Sequence, residues 1–178
     1  MSTPTGHKLD QFISTVLIDG VRKMTYEAGL GYLAAGTIGI GIEFLGACVD
    51  SHPFAVERQS KARFKKGIDE FMAKIDVRYA TYNAEASPYY LYKQLRCGMA
   101  HIARPQGKVA FTGRDSGLKD GLAHMEVCVE LDKLVVFVES FCDDFISACD
   151  DLKKRLPSLP DPKLQGIFLP VHEIKKKA

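Results

Sequence analysis

The chain has 178 residues, with 24 basic and 22 acidic side chains for a formal charge of +2, and with 46% hydrophobic and 26% charged residues. That is one domain of ordinary globular composition, long enough to hide roughly two-thirds of its unfolded surface in a core. It excludes bulk disorder, collagen-like sequence and a disulfide-scaffold miniprotein, and so slight a positive balance does not by itself imply nucleic acid.

The opening MSTPTGHKLDQF lacks the basic-then-apolar pattern of a signal peptide. Cys48, Cys97, Cys128, Cys142 and Cys149 are odd in number and include no CxxC pair, which reads as reduced thiols in a cytoplasm.

In chain order, Leu9, Phe12, Ile13, Val16 and Val21 recur at three- and four-residue spacing and predict a first helix from Lys8 to about Ala28. Ala28 to Ile42 is uncharged, and Glu43 then interrupts the apolar run. This stretch is shorter than the roughly 20 residues that span a bilayer, so a buried, glycine-rich helix pair is expected and no membrane partner. Around Gly36 to Gly41 either a loop or a closely packed helix fits, and Ile42 to Val49 reads as a buried helix that His52-Pro53 ends. A third is expected from about Ala55 to Tyr79, with Phe64, Ile68, Phe71, Ile75 and Tyr79 as its stripe.

Ser87-Pro88 suits a helix start, since serine can cap free amides and proline fits the first turn. That helix carries Leu91, Leu95, Met99 and Ile102 on one face, and Pro105 and Gly107 stop it. The period then changes. Lys108 to Thr112 predicts one strand and Met125 to Leu131, with its alternation, a second. Gly113 to Gly121 would join them as a loose hairpin. A last helix is expected over about Asp132 to Leu156, with Leu134, Phe137, Phe141, Phe145, Ala148 and Leu152 buried. The fold class is mostly α: a four- or five-helix bundle with one β-hairpin before the last long helix. Residues 1–156 form the domain, with the hairpin at about 108–131, and 157–178 form a proline-containing, extended basic tail.

The segment of most chemical interest is Tyr89-Tyr90-Leu91-Tyr92-Lys93-Gln94-Leu95-Arg96-Cys97-Gly98-Met99-Ala100-His101, in which Arg96 is followed after four residues by His101. On a straight α-helix the two side chains stand about 140° apart, on opposite flanks of the buried stripe. One copy does not make a compact site from them unless the helix end unwinds; two packed copies could.

The Arg-x4-His spacing near a helix end in a small bundle, together with Ile42-Glu43-Phe44-Leu45-Gly46-Ala47, resembles the HEPN domains. The resemblance covers roughly residues 8–156. It implies a helical homodimer with the motif helices facing each other, and in active members a metal-independent endoribonuclease. There the ribose 2′-hydroxyl attacks the adjacent phosphate. By position, Arg96 would hold the phosphate with its planar donor fork and His101 would move the protons. The chain departs from the family at Cys97, where a polar Asn, Asp or His is usual. Non-catalytic members exist as binding modules, so a second reading has Arg96 and His101 as structural residues of an RNA- or protein-binding domain.

Other residues have two readings each. Arg58, Lys61, Arg63, Lys65 and Lys66 could follow an RNA backbone or form a solvated helix face. Tyr89 and Tyr92 could stack on bases or pack a helix pair. Glu43, inside an apolar run, suits an ion pair with Arg96. Cys48/His52 and Cys97/His101 have the i,i+4 spacing of zinc ligand pairs, but such pairs usually sit closer or on turns, and no metal or cofactor is expected. Gly36, Gly39 and Gly41 do not follow a predicted strand and so lack the setting of a phosphate loop.

Overall fold

The computed structural model describes residues 9–159 and Lys163. The predicted start at Lys8, the side chain of Ile102 and the rest of the proline-containing tail lie outside the described residues. Within them the chain is mostly helical, with seven helices and a three-stranded sheet. We number the helices α1 (residues 9–27), α2 (Gly31–Val49), α3 (residues 60–75), α4 (Arg78–Tyr82), α5 (residues 91–102), α6 (Arg114–Lys119) and α7 (Val138–Arg155). The strands are β1 (Val109–Thr112), β2 (Glu126–Cys128) and β3 (Lys133–Phe137).

Helix α1 is π-wound over Ile13–Asp19 and Lys23–Glu27. Leu9, Ile13, Leu17 and Val21 are buried at four-residue steps, with Ile18 buried beside them, and Val16 is left facing out. Helix α2 lies at the centre, packed by α1, α3, α5 and α7. It is long and apolar enough to cross a membrane, yet more than half of its most apolar stretch is buried inside the domain. Its glycines are the reason it can be central. A Cβ on Gly46 would stand 1.8 Å from the Arg63 carbonyl oxygen, and one on Gly67 would stand 2.0 Å from that of Ile42. α2 and α3 therefore meet backbone to backbone. On another side, a Cβ on Gly41 would enter the Phe145 ring of α7, 2.3 Å from Cζ.

The predicted third helix is two. It ends at Ile75, which is exposed, and α4 begins after Asp76, whose carboxylate accepts from the Arg78 amide at 2.9 Å. Phe64, Ile68, Phe71 and Tyr79 are buried as expected.

The hairpin is corrected. β1 does not pair with β2; it runs parallel to β3, from Val109↔Leu134 to Thr112↔Phe137. β2 is antiparallel to β3, from Glu126↔Val135 to Cys128↔Lys133, so the order is β1-β3-β2. The last helix begins at Val138 and not at Asp132. Leu134-Val135-Val136-Phe137 is a continuous apolar, β-branched run, which suits a strand covered on both faces. Asp132, at φ 49°, makes the turn into it. The segment between β1 and β2 holds α6 in place of a simple loop.

The Gly46–Gly67 contact yields a first prediction. In an open helix interior, Gly→Ala stabilises by about 1 kcal/mol. Gly46→Ala and Gly67→Ala should instead destabilise, each by about 3 kcal/mol in urea unfolding, because backbone must move. Gly107→Ala, with nothing within 4 Å of the added methyl, should stay within about 0.5 kcal/mol.

Candidate functional site

Helix α5 carries the Arg-x4-His motif. It is π-wound over Tyr92–Cys97 and then α-helical to Ile102, where Ala103 at φ 55° ends it. It rests on α2 at Gly39, where a Cβ would lie 3.2 Å from Leu95 Cδ2 and 3.6 Å from Arg96 Cα. That close approach aims Arg96 along α2 at Glu43. Arg96 Nε donates to Glu43 Oε2 at 2.8 Å, and Nη2 stands 2.6 Å from the same oxygen. Ser60, at the start of α3, donates from Oγ to Glu43 Oε1 at 2.8 Å and accepts from Arg96 Nη2 at 3.4 Å. The side chains of Arg96 and Glu43 are 17% and 19% exposed, so this is a half-buried tie between three helices. The expected ion pair with Glu43 is present, and Ser60 is a third member that the sequence reading did not include.

Cys97 and Tyr92 stand beside this tie. Burial first, and then the neighbouring Cys97 thiol and its hydrogen bond, push the Tyr92 phenol above its ordinary range. His101 does not join them. It is exposed at the end of α5 and has no hydrogen-bond or ion-pair partner among the described residues. The structure thus separates the two motif residues: one turned inward and neutralised, the other in water.

The basic segment is not one exposed patch. Arg63 is buried and is corrected to a structural role: Nε donates to Asp50 Oδ2 at 2.7 Å, and its two terminal nitrogens donate to the Phe54 and Pro53 carbonyls at 2.8 and 2.6 Å. It lies on the same face of α3 as Gly67, where α2 is closest. Lys61 pairs with Glu85 at 2.7 Å, and Lys65 pairs with Asp69. Arg58 is exposed and Lys66 half-buried, with no acidic partner among the described residues. The tyrosines pack. The Tyr89 ring meets Tyr82 edge-on at 5.8 Å and its hydroxyl donates to Asp132 at 3.1 Å, while Tyr92 lies 5.7 Å from Phe64.

Two further polar clusters carry no motif. In the first, Lys163 is almost wholly buried and donates to Asp50, to the Ala47 and His52 carbonyls, and lies 4.9 Å over the Phe54 ring. Asp50 thereby holds Arg63 and Lys163 together. Burial alone would raise its carboxyl, but hydrogen bonds from Lys163, Arg63 and the His52 amide outweigh that and hold it below the usual carboxylate range. In the second, the Phe137 amide donates to His124 Nδ1 at 2.9 Å, so in neutral His124 the proton sits on Nε2. Nε2 is 3.1 Å from the Tyr79 hydroxyl, which donates to Asp144 at 2.8 Å. The cavity beside Tyr79 has only about 10 Å³ and admits no substrate. Tyr79 is a sequence-visible core residue; its two partners, 45 and 65 positions away, gave no local signal.

A groove of about 540 Å³ lies between Leu30–Leu33, Phe111–Gly113 and Val138–Glu139, and its lining includes neither Arg96 nor His101. Among the described residues no three His, Cys, Asp or Glu side chains converge as metal ligands. Cys48, the first of the spaced Cys–His pairs, is buried, which pushes its thiol up to about 12. Comparison with protein-family models, with curated proteins and with solved structures found no match to this chain.

Two predictions follow the geometry. Arg96→Ala and Glu43→Ala should each cost about 2 kcal/mol, and the double variant about 1–2 kcal/mol less than their sum, whereas His101→Ala should be neutral in the same unfolding assay. For Asp50 the folded value lies below the unfolded one near 3.8, so its contribution is present above that pH and is lost as the pH falls through the folded value. Acid titration of stability should therefore show a loss below about pH 4. Asp50→Asn should lower stability at pH 7 by about 3 kcal/mol and flatten that loss.

Proposed function

We propose that this is a HEPN-like helical domain acting as a non-catalytic binding or regulatory module, with a protein as its partner. The observation that carries this reading is the Arg96–Glu43–Ser60 tie. A phosphate-binding arginine must offer its donor fork and its charge to the ligand. Here two of its nitrogens face a carboxylate and a hydroxyl, and the carboxylate would repel the incoming phosphate in a half-buried setting where that repulsion is poorly screened. The matched charges on α3 favour a protein partner over RNA, since Lys61 and Lys65 already face acids and Arg63 is internal.

The ribonuclease reading keeps one observation in its favour: His101 is exposed, with neither ring nitrogen bonded among the described residues, as an acid/base would require. In that reading two copies meet, and Arg96 leaves Glu43 when the phosphate arrives.

Incubating purified protein with a mixed RNA pool in EDTA, beside a His101→Ala variant of equal folding, separates the two. The binding-module reading expects the RNA to stay intact in both. Cleavage by the wild type that disappears in His101→Ala would overturn it. The same reading expects weak RNA affinity, with a salt dependence of at most one or two phosphate contacts.

A further inference from the structure

We propose that the outer edge of β1, with the groove beside it, takes an extended peptide of a partner protein, one that alternates apolar side chains and carries a Lys or Arg. The inference rests on the binding-module reading and supplies its surface and the chemistry of its partner. The first observation is unpaired backbone. β1 is an edge strand, in the order β1-β3-β2. The Leu134 amide donates to the Lys108 carbonyl at 2.9 Å, and Val109 stands opposite Leu134. In a parallel ladder successive residues turn their backbone groups alternately toward and away from the partner strand. Lys108, Ala110 and Thr112 therefore face β3, and Val109 and Phe111 face outward. The Val109 amide is taken by the Gln106 carbonyl at 3.2 Å, whereas the Phe111 amide and carbonyl and the Val109 carbonyl have no partner among the described residues. Such a row of donor and acceptors is matched by another extended backbone.

The second is the groove of about 540 Å³ between the end of β1, the first turn of α2 and the start of α7. Its α2 wall is apolar: Leu30, Tyr32 and Leu33 are 43%, 52% and 55% exposed, and the Tyr32 ring meets Phe111 edge-on at 5.5 Å. Proteins commonly blunt an edge strand with a charge or a proline, and Val109–Thr112 carries neither. The opposite edge, β2, is three residues long and carries Glu126, paired with Arg78 at 3.5 Å. On a strand added to β1, every second side chain would share the face of Phe111 and enter the groove.

The third is charge. Glu139 is the one charged residue among those lining the groove. Its Oε2 accepts from the Arg114 amide at 2.7 Å, while Oε1 has no partner among the described residues and lies 3.4 Å from where a Cβ on Gly113 would stand, at the end of β1. The Arg114 guanidinium does not neutralise it, being turned to Ser140 at 3.2 Å and Asp143 at 2.7 Å. A half-buried carboxylate with a bare oxygen favours a cationic donor, which sets the Lys or Arg of the peptide. The same charge argues against a second copy of this chain as occupant. Val109–Thr112 has no cation to offer, and the flanking Lys108 and Arg114 are already tied to Asp132 and Asp143.

The test reads amide hydrogen exchange by NMR in the full chain. Alone, at any protein concentration, Ala110 and Thr112 should exchange slowly and Phe111 fast. Random peptides of about seven residues, displayed on phage, are then selected on the full chain, and the enriched sequences should alternate apolar residues and carry Lys or Arg. A synthetic copy of one should slow Phe111 exchange by about tenfold or more at saturation. N-methylation at alternate peptide residues should abolish binding in one phase and spare it in the other. Leu33→Asp should weaken binding about tenfold, and Glu139→Gln, which keeps an acceptor for the Arg114 amide, several-fold. Slow Phe111 exchange in the free chain overturns the proposal: at every concentration it assigns the edge to the chain itself, and if it rises with concentration, to a second copy. Selection that enriches no peptide, or one that leaves Phe111 exchange and the Leu33→Asp affinity unchanged, overturns it too. None of these results touches the binding-module reading, which fails separately if His101-dependent RNA cleavage is seen.

Discussion

The contact on which the arrangement depends is the meeting of α2 and α3 without side chains between them. At Gly46 and Gly67 the two helices are closer than a methyl group permits. Close approach sets more than a distance. It places Ser60, at the first turn of α3, against Glu43, one helical turn before Gly46, and it brings Arg63 beside Asp50 at the end of α2. Both polar ties near the motif are thus consequences of a glycine pair. If α3 stood a side chain's width further away, Glu43 would lose Ser60, and Asp50 would lose one of the two cations that make its charge tolerable under burial.

The polar ties divide labour with the apolar core. Leu, Ile and Phe fill the space around α2 but do not fix which neighbour lies at which height, since apolar packing tolerates sliding until shapes interlock. Charged and hydrogen-bonding groups at low exposure do not tolerate it, because a displaced partner leaves a desolvated donor or acceptor. Arg96–Glu43–Ser60 fixes α5 to α2 and α3. Tyr79–His124–Asp144 fixes α4 and the β1–β2 connection to α7. Asp50–Arg63–Lys163 fixes the end of α2 to α3 and to the chain beyond α7. Each joins elements far apart in sequence, and each sits where the apolar contacts alone would leave register free.

This division explains what could be seen in the sequence. Periodicity located the helices because it reports burial along one element: Leu9, Ile13, Phe64, Ile68, Phe141 and Phe145 were all legible, and all are core. It failed where two periods overlap. Leu134 and Phe137 match a helical stripe that continues into Phe141, and only the β-branched pair between them marks a strand. Strand partners were illegible for a different reason, since a parallel β1–β3 pairing leaves no turn signature between its strands. Ile75 and Val16 fit a stripe yet are exposed, because a helix end and a π-wound turn rotate them out.

The candidate site was half legible on the same grounds. The spacing of Arg96 and His101 states where two side chains leave one helix, and nothing about what they meet. Glu43 could be singled out because a carboxylate within an apolar run requires a partner, and the nearest unexplained cation on a buried flank was Arg96. Ser60 could not, since a serine at a helix start has a sufficient local explanation in capping. Arg63 misled for the opposite reason. Four cations around it made it look like part of a solvated face, while its place one helical turn from Gly67, on the same face of α3, carried the information that it would be covered. A basic residue in register with a glycine that admits a second backbone is a candidate for burial. The same reasoning reassigns the motif arginine: a charge placed over Gly39 and within reach of Glu43 belongs first to the helix it rests on.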